Sequence, residues 1–138
     1  MRTPELEAAY RATAYCVDLP GGGVSLRLGE ASPALVATLA TRGIGRWAIL
    51  CAANPDTQRL SDADNARRFS ELYDCLAAAG YEGWLGVNLA DAGDWPPEAS
   101  VFVPGLARDE ALRLAARFGQ NAIVAGDAAG VPELVWVG

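Results

Sequence analysis

The chain has no histidine and no lysine, and all 11 of its basic residues are arginine. Without histidine there is no imidazole general base, no Ser-His-Asp or Cys-His machinery and no imidazole metal ligand. Without lysine there is no Schiff-base amine and no P-loop lysine. Cysteine is sparse as well: Cys16, Cys51 and Cys75 are far apart, form no C-x-x-C pair and are expected to be free, reduced thiols. No apolar run approaches the ~20 residues of a membrane span. The N-terminal MRTPELEAAYRA lacks the apolar stretch of a secretory signal, so a cytoplasmic location is expected.

Positive charge is scarce too. The net charge is −6, and no basic tract exists to neutralise phosphates, so neither nucleic acid nor an anionic membrane surface is an expected partner. Nothing in the sequence calls for a cofactor or a bound metal. Any chemistry has to come from carboxylates, arginines, amides, hydroxyls, a thiol or backbone N–H groups.

What is present reads as one globular domain spanning residues 1–138, long enough to bury a core. Thr3-Pro4-Glu5 starts a helix with Leu6, Ala9 and Tyr10 facing inward. Residues 13–19 and 24–28 alternate in the strand period and are joined through Pro20–Gly23 as a hairpin. Ser32-Pro33 caps a second helix that stops at Gly43. Residues 47–53 are nearly all apolar, as in a sheet-centre strand, and Asn54-Pro55-Asp56 ends them. Ser61 caps the clearest helix, with Phe69, Leu72, Tyr73 and Leu76 at i, i+3, i+4, i+7 and Asp64–Arg68 and Arg67–Glu71 as ion pairs on its outer face. Strands at 82–87 and 100–103 flank a polar loop from Asn88 to Ala99. A helix at 108–118, stopped by Gly119, precedes a final pair of strands at 122–125 and 133–137. The predicted class is α+β: a single mixed β-sheet of about seven strands with four helices, in the order α-ββ-α-β-α-ββ-α-ββ.

Crossover connections usually join parallel strands and hairpins antiparallel ones. On that rule strands 24–28, 47–53 and 82–87 share a direction, while strands 100–103 and 122–125 begin where those end. Four segments therefore meet at one edge: 29–32, 54–61, 88–99 and 117–121. Candidate binding residues there are Asn54, Arg59, Trp95, Glu98, Arg117, Gln120 and Asn121. Asp94 and Glu98 are candidates for an acid pair, able to do acid/base work or to hold a hard cation. Arg117, Gln120 and Asn121 are suited to donating to a carboxylate, phosphate or amide.

Tyr10-Arg11-Ala12-Thr13, Ala52-Ala53-Asn54-Pro55, Ser61 with Asn65, Trp95-Pro96-Pro97-Glu98-Ala99-Ser100 and above all Arg117-Phe118-Gly119-Gln120-Asn121-Ala122 resemble the bacterial family catalogued as domain of unknown function 3293. The resemblance runs from about Tyr10 to Trp136. The chain departs from it near Cys51–Ala53, where a second aromatic or threonine is usual, at Ala99, often proline, and in the loop 87–93. It implies a small stand-alone bacterial protein and carries over no activity or catalytic residue. Three functions remain open: a binding module for a small polar ligand or protein segment, a carboxylate-based hydrolase with or without a metal, and an acidic inhibitor or immunity-type protein.

Overall fold

The computed structural model describes residues 2–138. Helix α1 (Pro4–Arg11) is followed by strands β1 (Thr13–Leu19) and β2 (Gly22–Leu26), α2 (Pro33–Arg42) and β3 (Arg46–Cys51). A 3₁₀ turn at Pro55–Thr57 leads to α3 (Asp62–Ala78), β4 (Trp84–Ala90), β5 (Glu98–Pro104), α4 (Arg108–Arg117), β6 (Ala122–Asp127) and β7 (Glu133–Trp136). Three helices start on hydroxyl caps: Thr3, Ser32 and Ser61 accept the amides of Leu6, Leu35 and Asp64 at 3.0, 3.3 and 3.1 Å.

All seven strands lie in one sheet, in the order β2-β1-β4-β5-β3-β6-β7. The class and element order are those predicted, with one correction: every neighbouring pair is antiparallel, so the sheet is not mixed. Strands β2, β3 and β4 do share a direction, but β1 and β5 interleave between them and no two become neighbours. The direction rule holds while the pairing inferred from it does not.

The sheet curls, and the segment after β2 reaches the far edge, where Gly29 N–H donates to Pro132 O at 2.8 Å and Ser32 N–H to Gly130 O. Residues 29–32 therefore join the β6–β7 turn at the opposite end from the 54–61 loop, a second correction. The strand β2 pairs two residues earlier than expected, because the two-residue turn Pro20-Gly21 sets Leu19 against Gly22.

The two faces of the sheet bury different cores. Helices α3 and α4 cover one, packing Leu72, Leu76, Ala111, Ala115 and Phe118 on Leu50, Val101, Val103 and Ile123. The inner face of the curl holds Tyr15, Val17, Leu26, Ile49 and Val124 against Leu35 and Leu39 of α2. Across it Trp84, Phe102 and Trp47 stack in a row, with ring centroids 5.1 and 4.8 Å apart. Above this filled layer the inward positions shrink to Gly86, Ser100 and Cys51, aligned by register. A curl that is packed at one level and narrow-chained at the next leaves space at its mouth.

Gly119, after the last turn of α4, has φ +69°, and an added Cβ would stand 2.7 Å from Pro55 Cβ. Gly43 ends α2 with a similar φ of +66° but faces open space. Both substitutions incur the left-handed backbone penalty of ~1 kcal/mol; only the first also displaces the 54–57 loop. Gly119→Ala should therefore cost at least ~2 kcal/mol in urea unfolding, against ~1 kcal/mol for Gly43→Ala. Equal losses would mean that the Pro55 contact is slack.

Candidate functional site

A cavity of about 270 Å³ opens at the mouth of the curl. Asn88 and Glu98, directly paired between β4 and β5, and Tyr15, paired with Asn88 from β1, line it from the sheet. Leu6, Ala9 and Tyr10 of α1 line it from one side, and Trp95 and Pro96 of the β4–β5 loop from another. Asn54, Asp56 and Thr57 and the Gln120-Asn121 exit of α4 complete it.

Glu98 sits where these walls meet. Its Oε2 accepts from Asn54 Nδ2 at 2.7 Å and from Trp95 Nε1 at 3.0 Å. Its Oε1 has Cys51 Sγ 3.9 Å away, yet that thiol lies 3.3 Å from the Ala99 carbonyl. A thiol has one proton, and the shorter contact takes it. Oε1 keeps its acceptor capacity.

Asn54 is more than a ligand to Glu98. It is buried at φ 48°, its Oδ1 accepts from Leu60 N–H at 2.8 Å and Asn65 Nδ2 at 3.0 Å, and its N–H donates to Asn65 Oδ1 at 2.9 Å. Every polar atom of its side chain is used to build the loop, so Asn54 positions Glu98 and frames the cavity. Gln120 behaves alike, donating to the carbonyls of Ala53 (2.9 Å) and Phe118 (3.2 Å). Asn121 Nδ2 donates to Thr57 Oγ1 at 3.1 Å. The loop they brace holds Asn54, Asp56 and Thr57 all at positive φ. For a β-branched residue such as Thr57 that conformation is a real outlier.

Of the sequence candidates, Asn54, Trp95, Glu98, Gln120 and Asn121 line one cavity, together with Asp94. Arg59 and Arg117 do not. Arg117 is exposed on α4, on the outer face of the sheet, with Nη1 3.7 Å from Cys75 Sγ. Arg59 is exposed on the loop ahead of α3. Arg68, expected in a surface pair with Asp64, turns inward and donates to the carbonyls of Ala52 (2.7 Å) and Phe118; Asp64 pairs with Arg67 instead. No arginine lines the cavity among the described residues. Of the expected donors to an anion, the charged one, Arg117, is thus absent from it, while Gln120 and Asn121 line it.

Asn88, Tyr10 and Tyr15 were missed. Asn88 falls within the expected 88–99 loop, whereas Trp84, Gly86, Asn88 and Ala90 continue the strand alternation and carry it inward. The α1–β1 junction was open to the direction rule: β1 runs antiparallel to β2 and β4, so Tyr10–Thr13 had to lie at their carboxyl ends.

The environment quiets the acidic protons. Burial, with the nearby Glu98 as a smaller cause, pushes the Cys51 thiol up to about 12. Burial also raises Tyr10, again with Glu98 contributing, and Tyr15, where Tyr10 contributes next. None of the three is an activated nucleophile near neutrality. Among the described residues no group of three histidine, cysteine or acidic side chains is placed to hold a metal, and no helix is long and apolar enough to cross a membrane.

Because the folded protein keeps Cys51 protonated, the stability this group contributes is complete below the unfolded pKa of 9.0 and is lost as the pH rises towards about 12. A thiol reagent at pH 8 should find three reactive cysteines per chain in urea, all of them being free. In the native protein Cys51 should stay unmodified over hours, read by peptide mass. Rapid native labelling at Cys51 would contradict a thiol held protonated in this setting.

No curated protein and no solved structure matches the chain significantly. A family model described as "Protein of unknown function (DUF3293)" matches residues 50–123. That span holds β3 from Leu50, α3, β4, β5 and α4, and with them Asn54, Asn88, Trp95, Glu98, Gln120 and Asn121. The chain belongs to this family of proteins of unknown function, DUF3293.

Proposed function

We propose that this protein is a binding module whose site is the cavity at the mouth of the curled sheet, and that it takes a small polar ligand. The observation that carries the reading is the state of Glu98. Two donors from different loops fix one oxygen, and the other is left without a strong partner in a partly enclosed space. A carboxylate held this way needs no reorganisation to receive a ligand, which is what a recognition site requires. The cavity volume is at the small end for ligand pockets, matching a metabolite-sized molecule better than a protein segment.

A hydrolase reading rests on Asp94 and Glu98 sharing the cavity. It has less support, because Asp94 is exposed and the remaining candidates for acid/base or nucleophilic work, Tyr10, Tyr15 and Cys51, are all held protonated.

A fragment library screened by ¹⁵N NMR tests the binding reading. Fragments that bind should shift the Trp95 indole N–H together with the side-chain amides of Asn88 and Gln120. A library without hits, or with hits confined to other signals, would overturn it.

A further inference from the structure

We infer that the ligand presents an N–H-bearing cation, an amine, amidine or guanidine, to Glu98 and Asn88; this rests on the cavity being the binding site. Three observations converge. The charged side chains lining the cavity, Asp56, Asp94 and Glu98, are all acidic, and among the described residues no arginine offsets them. An anion would meet repulsion from each.

The second observation is Asn88. Its Oδ1 is buried and has no hydrogen-bond partner, although buried amide oxygens are nearly always paired. Asn88 stands directly across from Glu98 in the β4–β5 register. Asn88 Oδ1 has no donor and Glu98 Oε1 has only the distant Cys51 thiol, and the two residues are register partners, while Asn54 Nδ2 and Trp95 Nε1 are already engaged on Glu98 Oε2. Two adjacent acceptors call for a group with at least two N–H bonds. A quaternary ammonium has none and would leave Asn88 unpaired.

The third is the aromatic lining. Tyr10, Tyr15 and Trp95 border the same space, and ring faces attract a cation that has left water. With Leu6, Ala9 and Pro96 they also give an apolar body somewhere to lie.

Thermal shift and calorimetry with benzamidine, benzylamine, phenyltrimethylammonium and benzoate, at matched ionic strength, test the inference. Benzamidine and benzylamine should raise the melting temperature, and the other two should leave it unchanged. Glu98→Gln, which retains an oxygen for Asn54 and Trp95, should weaken benzamidine at least tenfold. Asn88→Leu should weaken it comparably and raise the melting temperature of the free protein, because it removes an unpaired buried oxygen. If Glu98→Gln does not fold, Asn88→Asp carries the test and should tighten benzamidine. A response to benzoate or phenyltrimethylammonium as large as that to benzamidine would overturn the inference, as would silence from both N–H cations up to 10 mM (on the order of the weakest useful fragment affinity). A lowered melting temperature in Asn88→Leu would also overturn it, since it would mean that trapped water already satisfies Asn88. Neutral fragments that still move the Trp95 signal in those cases would leave the cavity as a site and remove only the cationic class.

Discussion

The carboxylate of Glu98 is the constraint around which one end of this protein is arranged. It stands at the first residue of β5, beside the end of β3, and the two elements that pass over it each contribute a donor. The Asn54 donor is itself fixed from three sides, by Leu60, by Asn65 and by its left-handed backbone. Through Asn65 the network reaches the first turn of α3, and through the Asp56 amide it reaches Gly119 O at the exit of α4. Hydrogen bonds to a charged group contribute ~1.5–3 kcal/mol each, and each non-glycine residue held at positive φ costs ~1–3 kcal/mol. The two magnitudes are similar, so the strained 54–57 loop persists because the network holds it in place.

The same arrangement separates stability from recognition. The aromatic row Trp84-Phe102-Trp47 and the aliphatic layers fill the curl, and α3 and α4 close the outer face. The mouth is left to short side chains underneath and polar ones above. The binding groups therefore sit on strands and on braced loops, where their positions are fixed by register and not by a flexible segment. Helix α1 buries no residue, yet Leu6, Ala9 and Tyr10 form a wall of the cavity, so it contributes more to the site than to the core.

Much of this was legible in the residues. Period-two and helical spacing locate the helices and strands, and strand direction alone brings Asn54, Glu98 and Gln120 to one end. Four things were not legible. Antiparallel interleaving of co-directional strands depends on which strand fills the gap between them, and local pattern does not encode that. The curl that carries residues 29–32 to the β6–β7 turn is a property of the whole sheet. Arginine placement has a more elementary reason: the place of Arg117 in the chain puts it at the site edge, whereas the face of the helix it leaves from decides whether it reaches the cavity. Asn88 reads as a loop residue because asparagine favours turns, even though the alternation around it is unbroken.

The central claim is that Asn54 and Glu98 act as one unit at the mouth of the sheet. A double-mutant cycle with Asn54→Gly, which keeps the left-handed backbone available, and Glu98→Ala measures it directly by urea unfolding. The account predicts a coupling free energy of at least ~1 kcal/mol, as for a charge-assisted hydrogen bond that is partly shielded from water. Effects that add within ~0.5 kcal/mol would contradict it.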